Sequence, residues 1–222
     1  MKLHKGLLDI HPQEAITSIT DAIREQVGGV LRKRGAVVAV SGGIDSAVCA
    51  ALCARALGKD RVFALLLPEK TSSSNSLRLG AMLVEFLGVQ SMVQDITPII
   101  EAAGCYRVQS EALRSFVPDY DETWKYKIVI PSILKGDRLN ISRLVIETPA
   151  GETKSVRMPG KTYQQLIAAT NFKQRTRKML EYFHAYRLNY AVAGTPNSAC
   201  SQDLWIRWLS RATNCSVPLR PS

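Results

Sequence analysis

The sequence lacks long apolar runs, although almost half of its residues are hydrophobic. Of the 222 residues, 46% are hydrophobic and 22% are charged, and no stretch approaches the roughly 18 consecutive apolar residues of a membrane span. The amino-terminal stretch MKLHKGLLDIHPQEA contains an apolar patch far too short for a signal peptide. No internal repeat is visible. We therefore expect a cytoplasmic protein without a membrane partner, folded as a single domain over residues 1–222.

Cysteine and histidine are scarce, and neither is arranged as a metal site. The five cysteines form no CxxC pair, and their odd number predicts a reducing compartment; they are Cys49, Cys53, Cys105, Cys200 and Cys215. Cys49 and Cys53 lie four residues apart on a predicted helix and could share a metal ion. No histidine or acid pattern completes that site, so core packing is the favoured interpretation. The three histidines stand apart, and no general base is evident.

Acidic residues are outnumbered, with 29 basic against 19 acidic residues and a net charge of +10. This excess favours an anionic partner such as a nucleotide, a phosphorylated substrate or a nucleic acid. A solvated basic surface is the alternative.

Short buried strands alternate with helices in the first half of the chain. Short runs rich in apolar residues predict strands at 36–40, 61–68 and 89–96, and helical spacing predicts intervening helices over 45–57 and 77–87. Another helix is predicted before them, near 13–33. This order is typical of an α/β fold with a doubly wound parallel sheet and flanking helices, which binds ligands at the carboxyl ends of its strands.

The second half is less regular. An insertion is predicted over about residues 104–160, with a β-hairpin in RLVIETPAGETKSVRM that turns at 149–151. A long helix follows over 163–187, and YAVAGT predicts a fourth buried strand. The helix has a basic flank and an apolar stripe formed by Phe172, Thr176, Met179, Phe183 and Tyr186.

The stretch VVAVSGGIDSAVCAAL places a serine, two glycines and an acid between a strand and a helix. Glycines there let the backbone approach a ligand, and the amino end of the helix attracts phosphate. The chain has neither a Walker loop nor a GxGxxG fingerprint at this point. Because Asp45 would repel phosphate, we expect Mg²⁺ to bridge them. A tight turn without a ligand is the alternative.

The motif SGGIDS resembles the signature of the N-type ATP pyrophosphatases. Two longer blocks are similar to the NAD synthetase family, ALGKDRVFALLLPEKTSSSNSLRLGAMLVEFLGV and NFKQRTRKMLEYFHAYRLNYAVAGTPN. The resemblance covers roughly residues 12–197 and implies an adenine nucleotide alpha-hydrolase-like fold. It also implies an ammonia-dependent ligase that adenylates the carboxylate of deamido-NAD, after which ammonia displaces AMP.

Position by position, the resemblance implies a set of site residues. The pyrophosphate of ATP would be held by Ser41, Gly42, Gly43, Asp45 and Ser46. Asp45 would also hold Mg²⁺, Arg175 would face deamido-NAD, and Thr195 would contact ATP. Asp45 and Arg175 are thus the expected catalytic residues. Relatives of this type imply a homodimer.

The carboxyl-terminal residues 198–222 depart from the family pattern. Cys200 stands where the family has a glutamate that binds magnesium, and a thiol is a poor ligand for that ion. The ATP-contacting lysine expected later is missing. Our hypothesis is a shifted reading frame or an alternative ending after Asn197, so that activity of this chain is an open question.

Three alternatives to NAD synthesis stay open at the level of sequence. The same chemistry could amidate another carboxylate, or modify tRNA, although no separate RNA-binding domain follows. The chain could also be a truncated nucleotide-binding protein without turnover. No glutaminase nucleophile block is present, so the ammonia would be free or delivered by a glutaminase partner.

Overall fold

The computed structural model describes residues 11–121, 123–129 and 143–194. They divide into two compact units. Among the described residues, the first unit contains residues 11–66, 72–93 and 183–194. The second unit contains the described residues of 67–71 and 94–182, and those of the insertion predicted over about 104–160 fall in this unit.

The first unit is built on a four-stranded parallel sheet. Its elements are α1 (Pro12–Arg24), β1 (Ala36–Ala39), α2 (Ile44–Leu57), β2 (Val62–Leu66), α3 (Ser74–Leu87), β3 (Gln90–Val93) and a last strand, Ala191–Ala193. A π-helical turn, Glu25–Val30, continues α1, and a 3₁₀ turn, Lys59–Arg61, precedes β2. The strand order is β3, β2, β1 and then Ala191–Ala193. All three pairings are parallel. The parallel α/β fold predicted from the alternating elements is therefore confirmed.

Both faces of the sheet are covered at its central strands β1 and β2, which explains their continuous apolar runs, whereas the residues of the edge strand β3 are exposed. Alternate residues such as Val38, Ala64 and Leu66 pack with buried residues of α2 and α3 on one face. Val37 and Leu65 point to the other face and are equally inaccessible. There the ring of Phe63 stacks on His184, with the ring centroids 5.6 Å apart. Strands buried on both faces carry no alternation in sequence.

The second unit contains an antiparallel sheet. Its elements are α4 (Thr97–Ala102), α5 (Cys105–Arg114), β4 (Lys125–Val129), β5 (Arg143–Glu147), β6 (Thr153–Arg157) and the first part of α6 (Gly160–Leu188). The strand order is β4, β5, β6. The hairpin of β5 and β6 turns at Gly151, as the sequence predicted. Its core contains Leu113, Leu144, Ile146 and Leu166. The last strand of the first unit, Ala191–Ala193, is numbered β7.

The long helix α6 does not bury the apolar stripe that its sequence suggests. Four of the five stripe residues are exposed, namely Phe172, Met179, Phe183 and Tyr186. The buried side chains include several polar ones, Lys173, Thr176, Glu181 and His184. A buried lysine and a buried glutamate need partners, so this helix is fixed by polar contacts as well as by apolar packing. None of the described helices has the length and apolar character required to cross a membrane.

Candidate nucleotide-binding site

The glycine loop between β1 and α2 lies at the carboxyl end of the parallel sheet. The amide of Val40 donates to the carbonyl oxygen of Leu65 at 2.8 Å and continues the β1–β2 pairing by one residue. The chain then turns through Ser41, Gly42 and Gly43, and α2 begins at Ile44. The first-turn amides of a helix have no partner within it and attract anions. The loop therefore has the position and polarity of a phosphate-binding turn.

Hydroxyl groups hold this loop together. Ser46 is buried, and its Oγ donates to the carbonyl oxygen of Gly43 at 2.9 Å. It also accepts from the amide of Ser41 at 3.2 Å and lies 3.1 Å from Ser41 Oγ. The amide of Gly43 donates to Ser41 Oγ at 3.3 Å. The two serines thus stabilise the turn, and Ser41 is the more exposed of the two.

Gly42 is required by the conformation and by a close approach. Its φ is +79°, a backbone conformation that side-chain-bearing residues rarely adopt. A Cβ at this position would also overlap the carbonyl oxygen of Ser76, in the first turn of α3. A Cβ at Gly43 would meet only Ser41 Oγ, at 3.4 Å. The loop is therefore pressed against α3 at Gly42, and its Gly43 side is open.

Asp45 is the exposed acid of this site. It lies in the first turn of α2, where the helix dipole stabilises a negative charge. Mg²⁺ is commonly held by one or two carboxylates together with substrate phosphates. One exposed carboxylate beside a phosphate-binding turn fits that pattern. Among the described residues, no group of three or more metal-ligating side chains occurs.

A cavity of about 790 Å³ adjoins the loop in the first unit. Asp45, Val48, Cys49 and Gly194 are among its lining residues. Its volume is within the range of small-ligand pockets. Cys49 is half-buried here, whereas Cys53, one turn further on, belongs to the core. The core interpretation of the two cysteines therefore holds for Cys53, and Cys49 also reaches the cavity.

The structure brings together five of the predicted site residues, Ser41, Gly42, Gly43, Asp45 and Ser46. Arg175 belongs to the second unit and is an exposed residue of α6. Thr195 and Cys200 lie outside the described residues. Their predicted contacts with ATP and magnesium therefore stay predictions.

The second unit contains an ionic cluster that the sequence did not reveal. The carboxylate of Glu69 accepts from Tyr106 Oη at 2.9 Å and pairs with Lys173 Nζ at 3.0 Å and Arg177 Nη2 at 3.2 Å. The Glu69 side chain is only 9% exposed and that of Lys173 11%. Lys173 Nζ also lies 4.6 Å from the centroid of the Tyr106 ring. We call these four residues the Glu69 cluster.

The protonation equilibria of the cluster follow from its contacts. Burial by itself would raise the pKa of Glu69, but the hydrogen bonds from Lys173 and Tyr106 and the nearby positive charges outweigh it, so the pKa is lowered. Burial and the bond to Glu69 raise the pKa of the Tyr106 hydroxyl. The cluster therefore holds a carboxylate anion and a neutral phenol at neutral pH. A glutamate directly after a buried strand, in LLLPEK, was the available sequence signal.

Comparisons with solved structures agree with this fold. An NH3-dependent NAD synthetase from Campylobacter jejuni, in complex with the nitrate ion, matches with a TM-score of 0.54 and 24% identity over 86% of this chain and 59% of that chain. An NMN synthetase from Francisella tularensis matches with a TM-score of 0.53 and 20% identity over 86% of this chain and 56% of that one. At these identities the likeness shows the fold alone. The class is thus a parallel α/β protein with the adenine nucleotide alpha-hydrolase fold.

Sequence comparisons define the family more closely. Residues 15–117 match the family model of NAD synthase. The NH(3)-dependent NAD(+) synthetase of Mesorhizobium japonicum is 51% identical over 191 residues, which are 86% of this chain and 60% of the relative. The enzyme of the same name from Thermotoga neapolitana is 38% identical over 89% of this chain and 63% of the relative. The chain belongs to the NAD synthetase family, as its motifs indicated, and spans about 60% of the length of these relatives.

Proposed function

We propose that this chain carries the ATP-binding part of an ammonia-dependent NAD synthetase, a carbon–nitrogen ligase. The observation that carries the proposal is the loop from Ser41 to Ser46, which presents first-turn amides and an exposed carboxylate at the carboxyl end of the sheet. The name of the curated relatives, NH(3)-dependent NAD(+) synthetase, supports this choice of reaction. The neighbouring cavity, which Asp45 lines, offers room for a bound small molecule.

The reaction that fits this site has two steps. In the first, a carboxylate oxygen of deamido-NAD attacks the α-phosphorus of ATP, the bond to the bridging oxygen breaks, and pyrophosphate leaves with the bonding electrons. In the second, ammonia attacks the acyl carbon of the adenylate, AMP leaves, and the nitrogen loses a proton to give the amide. First-turn amides of α2, such as that of Asp45, would bind the pyrophosphate beside the open Gly43 side of the loop, and Ser46 would keep the turn in shape.

A divalent cation fits the same loop. The Asp45 carboxylate is the candidate Mg²⁺ ligand on this chain, and the phosphates of ATP would provide further oxygens. Bound there, the ion would neutralise charge on the pyrophosphate leaving group. Asp45 contributes the fixed negative charge that selects ATP together with its cation over the bare anion.

The acceptor and nitrogen source follow from the family. We propose Arg175 as a contact for an anionic group of deamido-NAD, because a guanidinium pairs well with carboxylate or phosphate. The curated relatives are named for ammonia, so we propose free ammonia rather than a glutaminase partner. The homodimer and the ATP contact of Thr195 are further predictions of the family pattern.

The test is pyrophosphate release by the purified chain given ATP, Mg²⁺, deamido-NAD and ammonium, with NAD formation measured in parallel. We expect release that depends on both deamido-NAD and Mg²⁺. Asp45→Asn should reduce the rate about 100-fold, in line with the loss of one electrostatic group at a reacting phosphate. A Cys200→Glu variant tests the departure from the family pattern, and we expect it to raise the rate.

A matched control is Asp60→Asn, which removes an exposed acid in the first unit next to β2. It should leave release unchanged. Binding of ATP without any release, in both the original chain and the Cys200→Glu variant, would contradict the ligase proposal and favour a nucleotide-binding protein without turnover. Equal rates for Asp45→Asn and the unmodified chain would remove Asp45 from the site.

A further inference from the structure

We infer that Glu69 is a positioning residue: by pairing with Lys173 and Arg177 it fixes the rotation of α6 about its axis and so presents Arg175 to the anionic acceptor. The inference rests on the proposed function for the identity of the acceptor. Glu69, in the segment after β2, is thereby added to the residues that determine acceptor binding.

The contacts of Glu69 leave little freedom to the buried face of α6. Its two carboxylate oxygens are divided between the cations, since Oε2 pairs with Lys173 Nζ at 3.0 Å and Oε1 with Arg177 Nη2 at 3.2 Å. The hydroxyl of Tyr106, on α5, donates to Oε2 at 2.9 Å and holds the carboxylate from a second direction. Lys173 and Arg177 are one turn apart on α6, so both are held by a single side chain.

The geometry of a helix then determines where Arg175 is directed. With 3.6 residues per turn, each residue is rotated by about 100° from the previous one. Lys173 and Arg177 therefore lie within about 40° of each other. Arg175, two residues from each, lies on the opposite side of the helix, and it is exposed while Lys173 is buried. A rotation that freed the two cations from Glu69 would turn Arg175 away from its exposed position.

The cluster has the charge properties that positioning requires. Glu69 is buried and has to remain ionised to hold two cations, and its contacts favour that form. Breaking a buried pair leaves the remaining charges without compensation, which is more costly than the pair itself is stabilising. Loss of the carboxylate should thus release α6 from its position rather than leave it in place with weaker contacts.

A double-mutant cycle with Glu69→Gln and Arg175→Ala tests the inference, read as the Kd of deamido-NAD by calorimetry in the presence of Mg²⁺ and a non-hydrolysable ATP analogue. We expect each single variant to weaken deamido-NAD binding about tenfold, with ATP-analogue binding within about twofold of the unmodified chain. If Glu69 acts through Arg175, the double variant should be no weaker than Arg175→Ala alone. Additive losses, or an unchanged Kd in Glu69→Gln, would overturn the inference.

Two further variants separate positioning from general stability. Tyr106→Phe removes one hydrogen bond to Glu69 without changing the charge, and we expect a smaller loss of two- to threefold. Glu111→Gln is the matched control, because it neutralises a glutamate in an exposed ion pair with Arg107 in the same unit. It should leave deamido-NAD binding unchanged. Equal losses in Glu111→Gln and Glu69→Gln would contradict a specific role.

Amide hydrogen exchange needs no ligand, and it therefore distinguishes a failure of the Glu69 inference from a failure of the proposed function. Amide hydrogen exchange should be faster in α6 around residues 170–180 of Glu69→Gln, with α2 unchanged. If the unmodified chain binds no deamido-NAD, the proposed acceptor is wrong, and faster exchange in α6 still supports Glu69 as the residue that fixes the helix. If the unmodified chain binds deamido-NAD but exchange in α6 is unaltered by Glu69→Gln, the inference fails and the proposed function stands.

Discussion

Replacing Gly42 by alanine should damage both the stability of the first unit and its nucleotide binding. Two costs add at this position. The positive φ of +79° disfavours a residue with a Cβ, by about 1–2 kcal/mol. The new methyl group would also overlap the carbonyl oxygen of Ser76. Because that oxygen belongs to the backbone of α3, it can only give way if the helix or the loop moves, and overpacking of this kind costs about 1–3 kcal/mol.

Gly88→Ala is the control that separates the two costs. Gly88 also has a positive φ, of 62°, at the end of α3. A Cβ there would meet only Lys59 Cδ at 3.6 Å, an ordinary contact. This variant should therefore lose about 1–2 kcal/mol from conformation alone. The difference between the two variants measures the effect of the close approach at Ser76.

The assay is thermal unfolding combined with calorimetric titration of ATP and Mg²⁺. In a protein of this size, 1 kcal/mol corresponds to about 2–4 °C in Tm. We therefore expect Gly42→Ala to lower Tm by about 10 °C and Gly88→Ala by about 4 °C. The displaced loop of Gly42→Ala should bind ATP at least tenfold more weakly, whereas Gly88→Ala should bind it normally. Normal ATP binding by Gly42→Ala would refute the assignment of this loop to the nucleotide.

Two further predictions concern the buried glutamates. Because the pKa of Glu69 is lowered in the folded chain, the stabilisation that its carboxylate provides is complete above the unfolded pKa of about 4.3 and is lost as the pH falls through the lower folded value. Glu69→Gln should therefore be less stable than the unmodified chain by about 3 kcal/mol at pH 7. In urea unfolding this difference in stability should disappear below about pH 4, and a difference independent of pH would contradict an ionised Glu69. Glu181 has the opposite shift, since burial raises its pKa despite the 2.6 Å pair with Lys178. Its contribution to the stability of the fold is therefore present at low pH and lost as the pH rises through the folded pKa. Glu181→Gln should leave the unfolding free energy at pH 7 unchanged or raise it by about 1 kcal/mol. A loss above about 2 kcal/mol in Glu181→Gln would show that the pair with Lys178 outweighs the burial of the carboxylate.

Local patterns in the sequence were sufficient for most of the elements. Continuous apolar runs predicted the strands β1 and β2, and a Pro–Ala–Gly turn predicted the hairpin of β5 and β6. These signals are local because they depend on the period with which apolar side chains meet a buried surface. The glycine loop was visible for a similar reason, since a strand, two glycines and an acid before a helix leave few other conformations.

The long helix α6 shows where such patterns fail. Its length was predicted, but its apolar stripe is largely exposed, and buried polar residues face the interior instead. The identity of the buried face depends on which distant groups approach it. Lys173 is buried because Glu69, more than a hundred residues earlier, supplies a carboxylate at 3.0 Å. No spacing within the helix contains that information.

The amino-acid sequence by itself determined the alternating strands and helices of the first unit, the glycine turn after β1 and the family, because each depends on residues that are close together in the chain. Only the tertiary structure shows that a side chain at Gly42 would overlap the carbonyl oxygen of Ser76, which lies in α3. It also decided that Glu69 gathers two cations and a phenol into one cluster. Those contacts join segments that are far apart in sequence, and a buried charge takes its partner from whichever segment folding brings within reach.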